Sequence, residues 1–175
     1  MPALRDAHRE DPRRSEGNPL LSTLHPTAGR VAESLAAAGL NVAVVEHATS
    51  SRTAEEAAAT AGCELGQIVK SLVFVDDAGP VLVLCAGDRR VDAAGLGVRR
   101  ATPDVVREAT GFAIGGVPPL GHPEALRTLV DASLRRFATV WCAAGTPNAV
   151  FEVGTEELIA ALPAGEVREL TAPAA

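Results

Sequence analysis

The feature that most constrains the fold of this chain is a pair of apolar segments joined by a short polar turn. Residues 68–75 read IVKSLVFV, and residues 81–86 read VLVLCA. Between them, Asp76-Asp77-Ala78-Gly79 is typical of a hairpin turn. Both segments are apolar on both faces, so neither face of the hairpin suits water. The sequence therefore predicts a β-hairpin at the centre of a sheet.

The rest of the chain mixes helices and strands without regular alternation. Apolar positions recur at helical spacing in residues 26–38, before Gly39. Thr53 and Glu56 form the pattern of a capping box, which opens an alanine-rich helix ending at Gly62. These patterns indicate α+β architecture, a single domain with a mixed, mostly antiparallel sheet flanked by helices. Further predicted elements are strands at residues 41–46, 128–130, 137–142 and 149–153, a helix starting at Thr102-Pro103, and a helix at residues 155–161.

Length and composition limit the class of protein. The 175 residues suffice for one domain with a core. Residues 1–24 are charged and lack periodicity, which predicts a flexible N-terminal arm before a folded domain at residues 25–172. No apolar run is long enough to span a membrane, and the N-terminus lacks the apolar stretch of a signal peptide. The three cysteines include no C-x-x-C pair, so neither a disulfide framework nor a metal site is indicated. We expect a soluble cytoplasmic protein that needs no cofactor.

The distribution of charge allows two interpretations. A net charge of −6 argues against a protein that binds nucleic acid by non-specific electrostatics. A locally basic face for brief nucleic-acid contact is one interpretation of the central arginines, and ordinary solvated side chains are the other. These arginines are Arg89, Arg90, Arg99, Arg100, Arg107, Arg127, Arg135 and Arg136.

Lys70 is the first candidate functional residue. It is the only lysine among 16 lysines and arginines, and it lies in the apolar strand IVKSLVFV. A lysine among apolar neighbours needs a partner, reaches to solvent, or lines a pocket. The alternative is an edge-strand lysine that prevents aggregation.

Two loops and one carboxylate are further candidates. The segment Gly115-Gly116-Val117-Pro118-Pro119 combines glycines, which let main-chain groups approach a ligand, with prolines that hold one shape. Residues 143–147 (AAGTP) follow a predicted strand and could line a tight pocket. In both loops a simple turn is the alternative. Asp131 fits a pocket carboxylate or the N-cap of residues 132–136 equally well.

Three blocks of this sequence together resemble one known family. They are IVKSLVF, TGFAIGGVPPLG and VDASLRRFATVWCAAGTPNAVFEV, and their order and spacing are similar to those of the YbaK/EbsC family. These are editing domains associated with prolyl-tRNA synthetase. The resemblance extends from about His25 to about Leu170. It implies a mixed sheet flanked by helices and hydrolysis of the ester in mischarged aminoacyl-tRNA.

The resemblance also implies which residues form the site. It maps the family's lysine onto Lys70, its G-x-x-x-P loop onto residues 115–119, and its small-residue loop onto residues 143–146. With Lys70 as the catalytic residue, the predicted substrate-binding residues are Ser71, Gly115, Gly116, Pro119, Asp131, Ala144, Gly145 and Thr146.

The implied substrate is tRNA(Pro) carrying a small non-cognate amino acid such as alanine or cysteine. Some relatives have a polar or acidic residue at the positions matching Ala143 and Val150, and both are apolar here. This departure weakens the case for cysteine and leaves alanine or another small residue. The expected partner is the acceptor end of aminoacyl-tRNA, with prolyl-tRNA synthetase or an elongation factor as helpers.

Two other functions remain open from the sequence. One is a catalytically inactive module of the same fold that binds tRNA or a synthetase. The other is a small-molecule hydrolase with Cys85 or Cys142 as nucleophile beside His47 or His122.

Overall fold

The computed structural model describes residues 23–173. Residues 1–22, where most of the predicted N-terminal arm falls, and residues 174–175 lie outside the described residues. In chain order the elements are α1 Pro26–Ala37, β1 Val44–Glu46, α2 Ala54–Ala61, β2 Val69–Asp76, β3 Gly79–Ala86, β4 Arg89–Val91, α3 Ala93–Leu96, β5 Arg99–Arg100, α4 Pro103–Thr110, β6 Thr128–Asp131, β7 Thr139–Ala143, β8 Ala149–Gly154, α5 Thr155–Ala161, β9 Gly165–Arg168 and β10 Thr171–Pro173. Two 3₁₀ helices span Leu65–Gln67 and Ala132–Arg136.

The predicted hairpin forms the middle of the larger sheet. Strands β2 and β3 pair antiparallel from Val69 opposite Ala86 to Asp76 opposite Gly79. The sheet order is β5-β2-β3-β6-β9, and the β3–β6 and β6–β9 pairs are parallel. All residues from Val81 to Ala86 are buried, as expected for a central strand. The predicted α+β class and mixed sheet are confirmed.

A second, three-stranded antiparallel sheet packs beside the first. Its order is β1-β8-β7, and a single parallel bridge between Ile68 and Trp141 connects it to the start of β2. The main core lies between the two sheets and α1, where Val31 and Leu35 pack with Phe151. A smaller core around Phe74 covers the other face of the larger sheet. The edge of β2 next to β7 is therefore where the two sheets meet.

The helix ends follow local sequence signals. Helix α1 buries Val31 and Leu35, whereas Ala38, which the periodicity placed on the same face, is exposed at the C-cap. The Thr53 hydroxyl oxygen accepts a hydrogen bond from the Glu56 N–H (3.1 Å) and caps α2. The Glu56 carboxylate accepts from the Arg52 N–H (2.7 Å), one residue before the usual capping-box partner. This bond holds residue 52 against the helix start.

Four short strands were not predicted. Strands β4, β5, β9 and β10 contain two to four residues, too few for a periodic pattern, and each forms only where a distant partner lies beside it. The strand predicted at residues 41–46 is limited to Val44–Glu46, the residues that pair with β8. None of the helices between residues 23 and 173 has the length and apolar character that a membrane span requires.

Candidate functional site

A cavity of about 250 Å³ opens where the two sheets meet. Four segments line it: residues 51–54 with the first turns of α2, the start of β2, the loop after α4, and the facing ends of β7 and β8. Most of the wall is apolar and includes Ile68, Val117, Trp141 and Ala149. A recess of this kind, with a few polar groups in an apolar wall, is typical of a small-ligand site.

The cavity occupies a gap along the outer edge of β2. On this edge β2 meets β7 only at the Ile68–Trp141 bridge, and it pairs with β5 only at Phe74 and Val75. Between these points no other described strand pairs with this edge, and residues 69–72 line the cavity instead. An unpaired strand edge presents main-chain donors and acceptors. The fold therefore offers backbone hydrogen-bonding groups to a ligand.

Ser71 is the residue of β2 whose polar groups face this gap. The Ile68 carbonyl accepts from the Gly87 N–H, on the β3 side, and the Val73 carbonyl accepts from the Ala101 N–H, on the outer side. Because main-chain groups alternate along a strand, the N–H and C=O of Ser71 point to the outer side, as those of Val73 do. The Ser71 hydroxyl is buried and has no hydrogen-bond partner among the described residues. Ser71 thus brings three uncommitted polar groups to the cavity wall.

Lys70 also lines the cavity, but its ammonium group is engaged elsewhere. The residue is partly buried, and Nζ donates a hydrogen bond to the main-chain carbonyl of Arg89 in β4. Arg89 is not part of the cavity wall. Of the possibilities named for this lysine, the structure combines two: Lys70 has a partner and lines a pocket. An ammonium has three N–H donors, so a ligand in the cavity can take one of those that the Arg89 carbonyl does not use.

The two predicted loops meet behind the cavity. The Gly145 N–H donates to the Gly116 carbonyl (2.8 Å), and a Cβ at residue 116 would lie 2.7 Å from the Gly145 carbonyl oxygen. Gly145 has φ +98°, a conformation that favours glycine. Gly115 and Thr146 reach the cavity surface, whereas Gly116 and Gly145 hold the two loops together. Gly116 and Gly145 therefore position the cavity wall but are not part of its surface.

Three more of the predicted residues, besides Gly116 and Gly145, lie outside the cavity wall. Ala144 is fully buried, and its N–H donates to the Ala149 carbonyl (2.8 Å). Pro119 is buried beside a different, smaller recess near His122. Asp131 is 2% exposed and caps the 3₁₀ helix Ala132–Arg136, which was the alternative interpretation of this residue.

Sequence reasoning missed several residues that do line the cavity. Arg52 and Ile114 are exposed at its surface, and Trp141 forms part of its wall. Thr53 drew attention only as a helix cap. Arg52 precedes the cap and Ile114 precedes the glycine pair, so their adjacency to these motifs was the only available signal. In contrast, Ala143 and Val150 were noted in advance, and the structure pairs them across β7 and β8 on the cavity wall.

The electrostatics of the cavity favour neither a thiol nucleophile nor a bound cation. Burial raises the pKa of Cys85 to about 11 and also raises the pKa of Cys142, which lies in the wall. Both thiols therefore stay protonated near neutral pH and are poor nucleophiles. Among the described lining residues, Arg52 and Lys70 are the charged ones, and both are cations. Within residues 23–173, no three His, Cys, Asp or Glu side chains are grouped as metal ligands.

Each of the two interpretations of the central arginines holds for some of them, because some are paired and others are not. Arg127, Arg135 and Arg136 form ion pairs with Asp76, Glu156 and Asp88. Arg100 lies 5.9 Å from the ring centre of Phe74. The remaining members of the set, Arg89, Arg90, Arg99 and Arg107, form no ion pair with the described residues.

Comparisons with known proteins agree on one family. Residues 48–161, more than half of the chain, match the model of the aminoacyl-tRNA editing domain. The protein YwhH of Bacillus subtilis (strain 168) is 40% identical over 122 residues, covering 66% of this chain and 78% of that protein. A proline–tRNA ligase of Nitratidesulfovibrio vulgaris is 33% identical over 90 residues, covering 47% of this chain but only 16% of the ligase.

A solved structure shows the same fold over nearly its whole length. It is described as a candidate trans-editing enzyme for prolyl tRNA synthetase, is 45% identical, and superposes with a TM-score of 0.80. The alignment covers 86% of this chain and 99% of that chain. All residues lining the cavity lie inside the segment that matches the family model. The resemblance seen in the sequence is confirmed, and the chain belongs to the aminoacyl-tRNA editing domain family, the YbaK family.

Proposed function

We propose that this chain is a deacylase that hydrolyses the ester bond of mischarged aminoacyl-tRNA. Its proposed substrate is tRNA(Pro) bearing a small non-cognate amino acid, with prolyl-tRNA synthetase or an elongation factor as a helper. The observation that carries the proposal is the cavity at the open edge of β2, inside the segment that matches the editing domain. Such a substrate is used in the cytoplasm, so we place the activity there.

The cavity contains the groups that ester hydrolysis needs most. Water adds to the carbonyl carbon, the ester C–O bond breaks, and the ribose hydroxyl leaves with a proton. An aminoacyl ester is already activated, so a positioned water and a donor aimed at the developing oxyanion suffice. The outward main-chain N–H of Ser71 is the donor we assign to the oxyanion, and its hydroxyl is a second polar contact. The terminal ribose hydroxyl could assist the water.

We assign to Lys70 the role of stabilising the negative charge that develops in the transition state. In the structure its ammonium donates a hydrogen bond to the Arg89 carbonyl. A developing oxyanion is a stronger acceptor for this ammonium than the neutral Arg89 carbonyl, because the bond then joins two opposite charges. The ammonium would then stabilise the transition state more than the ground state. The inactive-module alternative corresponds to a Lys70 whose ammonium bonds only to the Arg89 carbonyl and contributes only to the fold.

The walls of the cavity support selection by size. Ala143 and Val150 face each other across β7 and β8 and present only methyl groups to the cavity. An apolar wall provides no partner for a polar side chain and excludes larger ones, which is how a second sieve rejects the cognate product. We therefore propose alanine ahead of cysteine as the amino acid removed.

Deacylation of a substrate panel tests the proposal. The panel is Ala-, Ser-, Cys- and Pro-tRNA(Pro), with wild type beside Lys70→Ala and Lys70→Arg. We expect release of alanine, no release of proline, and a loss of at least about 100-fold for Lys70→Ala, the usual cost of removing one oxyanion donor. Lys70→Arg keeps the charge and tests whether the compact ammonium is required.

Two outcomes would contradict the proposal. Full activity of a folded Lys70→Ala variant would remove Lys70 from the mechanism. Tight binding of tRNA with no turnover of any substrate would instead identify an inactive binding module. A thiol-blocking reagent serves as a control, because the proposed reaction requires no protein thiol.

A further inference from the structure

The size of the cavity leaves most of the substrate outside it. Sites that enclose drug-sized ligands have volumes of roughly 300–1,000 Å³, whereas this cavity has about 250 Å³. An aminoacyl-adenosine is a drug-sized ligand, so this cavity is too small to enclose it. If the aminoacyl group enters the cavity, as the proposed function requires, the base and the adjacent phosphate remain at its mouth.

The mouth carries one uncommitted cation. Arg52 lines the cavity and is exposed, and its guanidinium forms no ion pair with the described residues. Lys70 is the other cation of the wall, and its ammonium is bonded to the Arg89 carbonyl. The described part of the wall has two cations and no acidic side chain, and the Glu56 carboxylate just outside it accepts a hydrogen bond from the Arg52 N–H. The charges of the lining residues therefore favour an anion. The whole chain has a net charge of −6, so the charge of the described cavity wall is opposite in sign to that of the protein.

The mouth also carries an exposed apolar side chain. Ile114 is 57% exposed and lies in the wall immediately before Gly115. Its loop is held in place, because the next residue but one, Gly116, is bonded to Gly145. A large exposed apolar side chain beside a cavity suits the flat face of a nucleobase, whose burial removes apolar surface from water.

We propose that Arg52 and Ile114 receive the 3′-terminal nucleotide of the aminoacyl-tRNA. Arg52 binds the phosphate that precedes the terminal adenosine, since a guanidinium matches phosphate geometry. Ile114 packs against the adenine. The inference rests on the proposed function, and it assigns binding roles to residues that take no part in the chemical step.

The position of Arg52 is set by main-chain contacts, so its side chain can be removed without unfolding the site. Its N–H donates to the Glu56 carboxylate and the neighbouring Thr53 caps α2. Both contacts remain in Arg52→Ala. The variant therefore tests the guanidinium alone.

Binding of two non-hydrolysable ligands tests the inference. The first is a short RNA ending in CCA whose terminal 3′-amino-adenosine carries alanine by an amide bond. The second is the same alanylated nucleoside without any phosphate. We expect Arg52→Ala to weaken RNA binding about two- to fivefold, as for an exposed ion pair, and to leave nucleoside binding unchanged. We expect Ile114→Ala to weaken both ligands roughly threefold, because both contain adenine.

The salt dependence of RNA binding supplies an independent readout. One lost phosphate contact lowers the slope of log K against log salt by about 0.7 for a single strand. Arg52→Ala should show this decrease and Ile114→Ala should not. Two matched controls should bind like wild type. Arg30→Ala removes an exposed arginine outside the wall, and Val45→Ala removes the second large apolar side chain that is exposed among residues 23–173.

Two results would overturn the inference. One is Arg52→Ala binding the RNA as tightly as wild type with an unchanged salt slope. The other is equal weakening of both ligands, which would show that Arg52 acts on the cavity itself and not on a phosphate. Neither measurement needs turnover, so absence of deacylation in the tRNA panel would overturn the proposed function while leaving this test decisive.

Discussion

Ser71 and Asp131 are both polar residues with buried polar atoms in the larger sheet, and their surroundings are opposite. The Asp131 carboxylate accepts hydrogen bonds from the Leu170 N–H (2.8 Å), the Thr171 hydroxyl (2.9 Å), and the N–H and hydroxyl of Ser133. The Ser71 hydroxyl is buried without a described partner, and the main chain around it faces a cavity.

The difference separates a structural polar group from a binding one. Buried polar groups in stable folds are almost always hydrogen-bonded, because desolvation without a partner costs free energy. Asp131 meets this rule entirely within the protein and ties the chain after β9 to the end of β6. Ser71 meets it only if a ligand or water supplies the partner. Of the four predictions below, Asp131→Ala and Ser71→Ala test this contrast directly, and Gly116→Ala and the Asp88–Arg136 pair compare it with a backbone contact and an exposed ion pair.

Asp131→Ala should have the largest effect, and the effect should be on stability. The substitution leaves the buried Leu170 N–H without its acceptor, so we expect a loss of about 3 kcal/mol in the free energy of unfolding. For a chain of this length the Tm should fall by roughly 6–12 °C. Thermal unfolding measures this, and deacylation per folded molecule should stay at the wild-type level. If Asp131→Ala lost activity but kept full stability, Asp131 would have a role in substrate binding and not in the fold.

Gly116→Ala should disturb both stability and the cavity. Its Cβ would lie 2.7 Å from the Gly145 carbonyl oxygen and 2.9 Å from the Gly145 carbonyl carbon, and backbone atoms cannot move away cheaply. We expect a loss of about 1–3 kcal/mol with reduced deacylation, because Gly115 and Thr146 on these loops line the cavity. Gly29→Ala is the control: its Cβ meets no atom within 4 Å in α1, so stability should stay equal or rise. Equal effects of the two substitutions would contradict the role of the Gly116–Gly145 contact.

Ser71→Ala should reverse the behaviour of Asp131→Ala. Removing a hydroxyl without a partner breaks no described hydrogen bond, so stability should be unchanged within about 0.5 kcal/mol. Deacylation should show a KM about fivefold higher, the effect of one hydrogen bond of roughly 1 kcal/mol. Ser34→Ala is a matched control, since its hydroxyl donates to the Arg30 carbonyl outside the cavity. A destabilised Ser71→Ala with normal KM would mean that the hydroxyl serves the fold.

The Asp88–Arg136 pair should give the smallest effect, at acidic pH. The guanidinium of Arg136 forms two hydrogen bonds (2.9 and 2.6 Å) that hold the pKa of Asp88 below its usual value. A depressed folded-state pKa contributes stability above the unfolded value of about 3.9, and this stability is lost as the pH falls through the folded value. Because the pair is partly exposed, the contribution should be about 0.5 kcal/mol at most.

Thermal unfolding between pH 6 and pH 3 checks this prediction. Asp88→Asn cannot ionise, so its Tm should fall less than that of wild type over this range. Identical pH profiles would show that solvent screens the pair completely.

The elements that the sequence predicted well are those with local causes. The helix starts at Thr53 and Thr102, the helix ends before Gly39 and at Gly62, and helix α5 at Thr155–Ala161 agree with the structure. The hairpin was predictable because its two apolar strands are adjacent in the chain. The short strands at residues 89–91 and 171–173 were not, because they pair with each other across about 80 residues.

For the candidate site the division is similar. Lys70, Ser71, Gly115 and Thr146 were among the predicted site residues and do line one cavity. Arg52 and Ile114 were missed, because an exposed arginine and an isoleucine in a loop carry no signal of their own. Whether such residues border a cavity depends on which distant segments lie opposite.

The sequence by itself determined the central hairpin, the helix caps, the fold class and the family, because these depend on spacing and on contacts between near neighbours. Only the tertiary structure decided which polar groups are satisfied. Asp131 and Ser71 are polar residues with similar apolar neighbours in the sequence, yet one meets the N–H of Leu170 and the other meets an open edge. Hydrogen bonds form between groups brought together in space, and that proximity is set by how the two sheets pack.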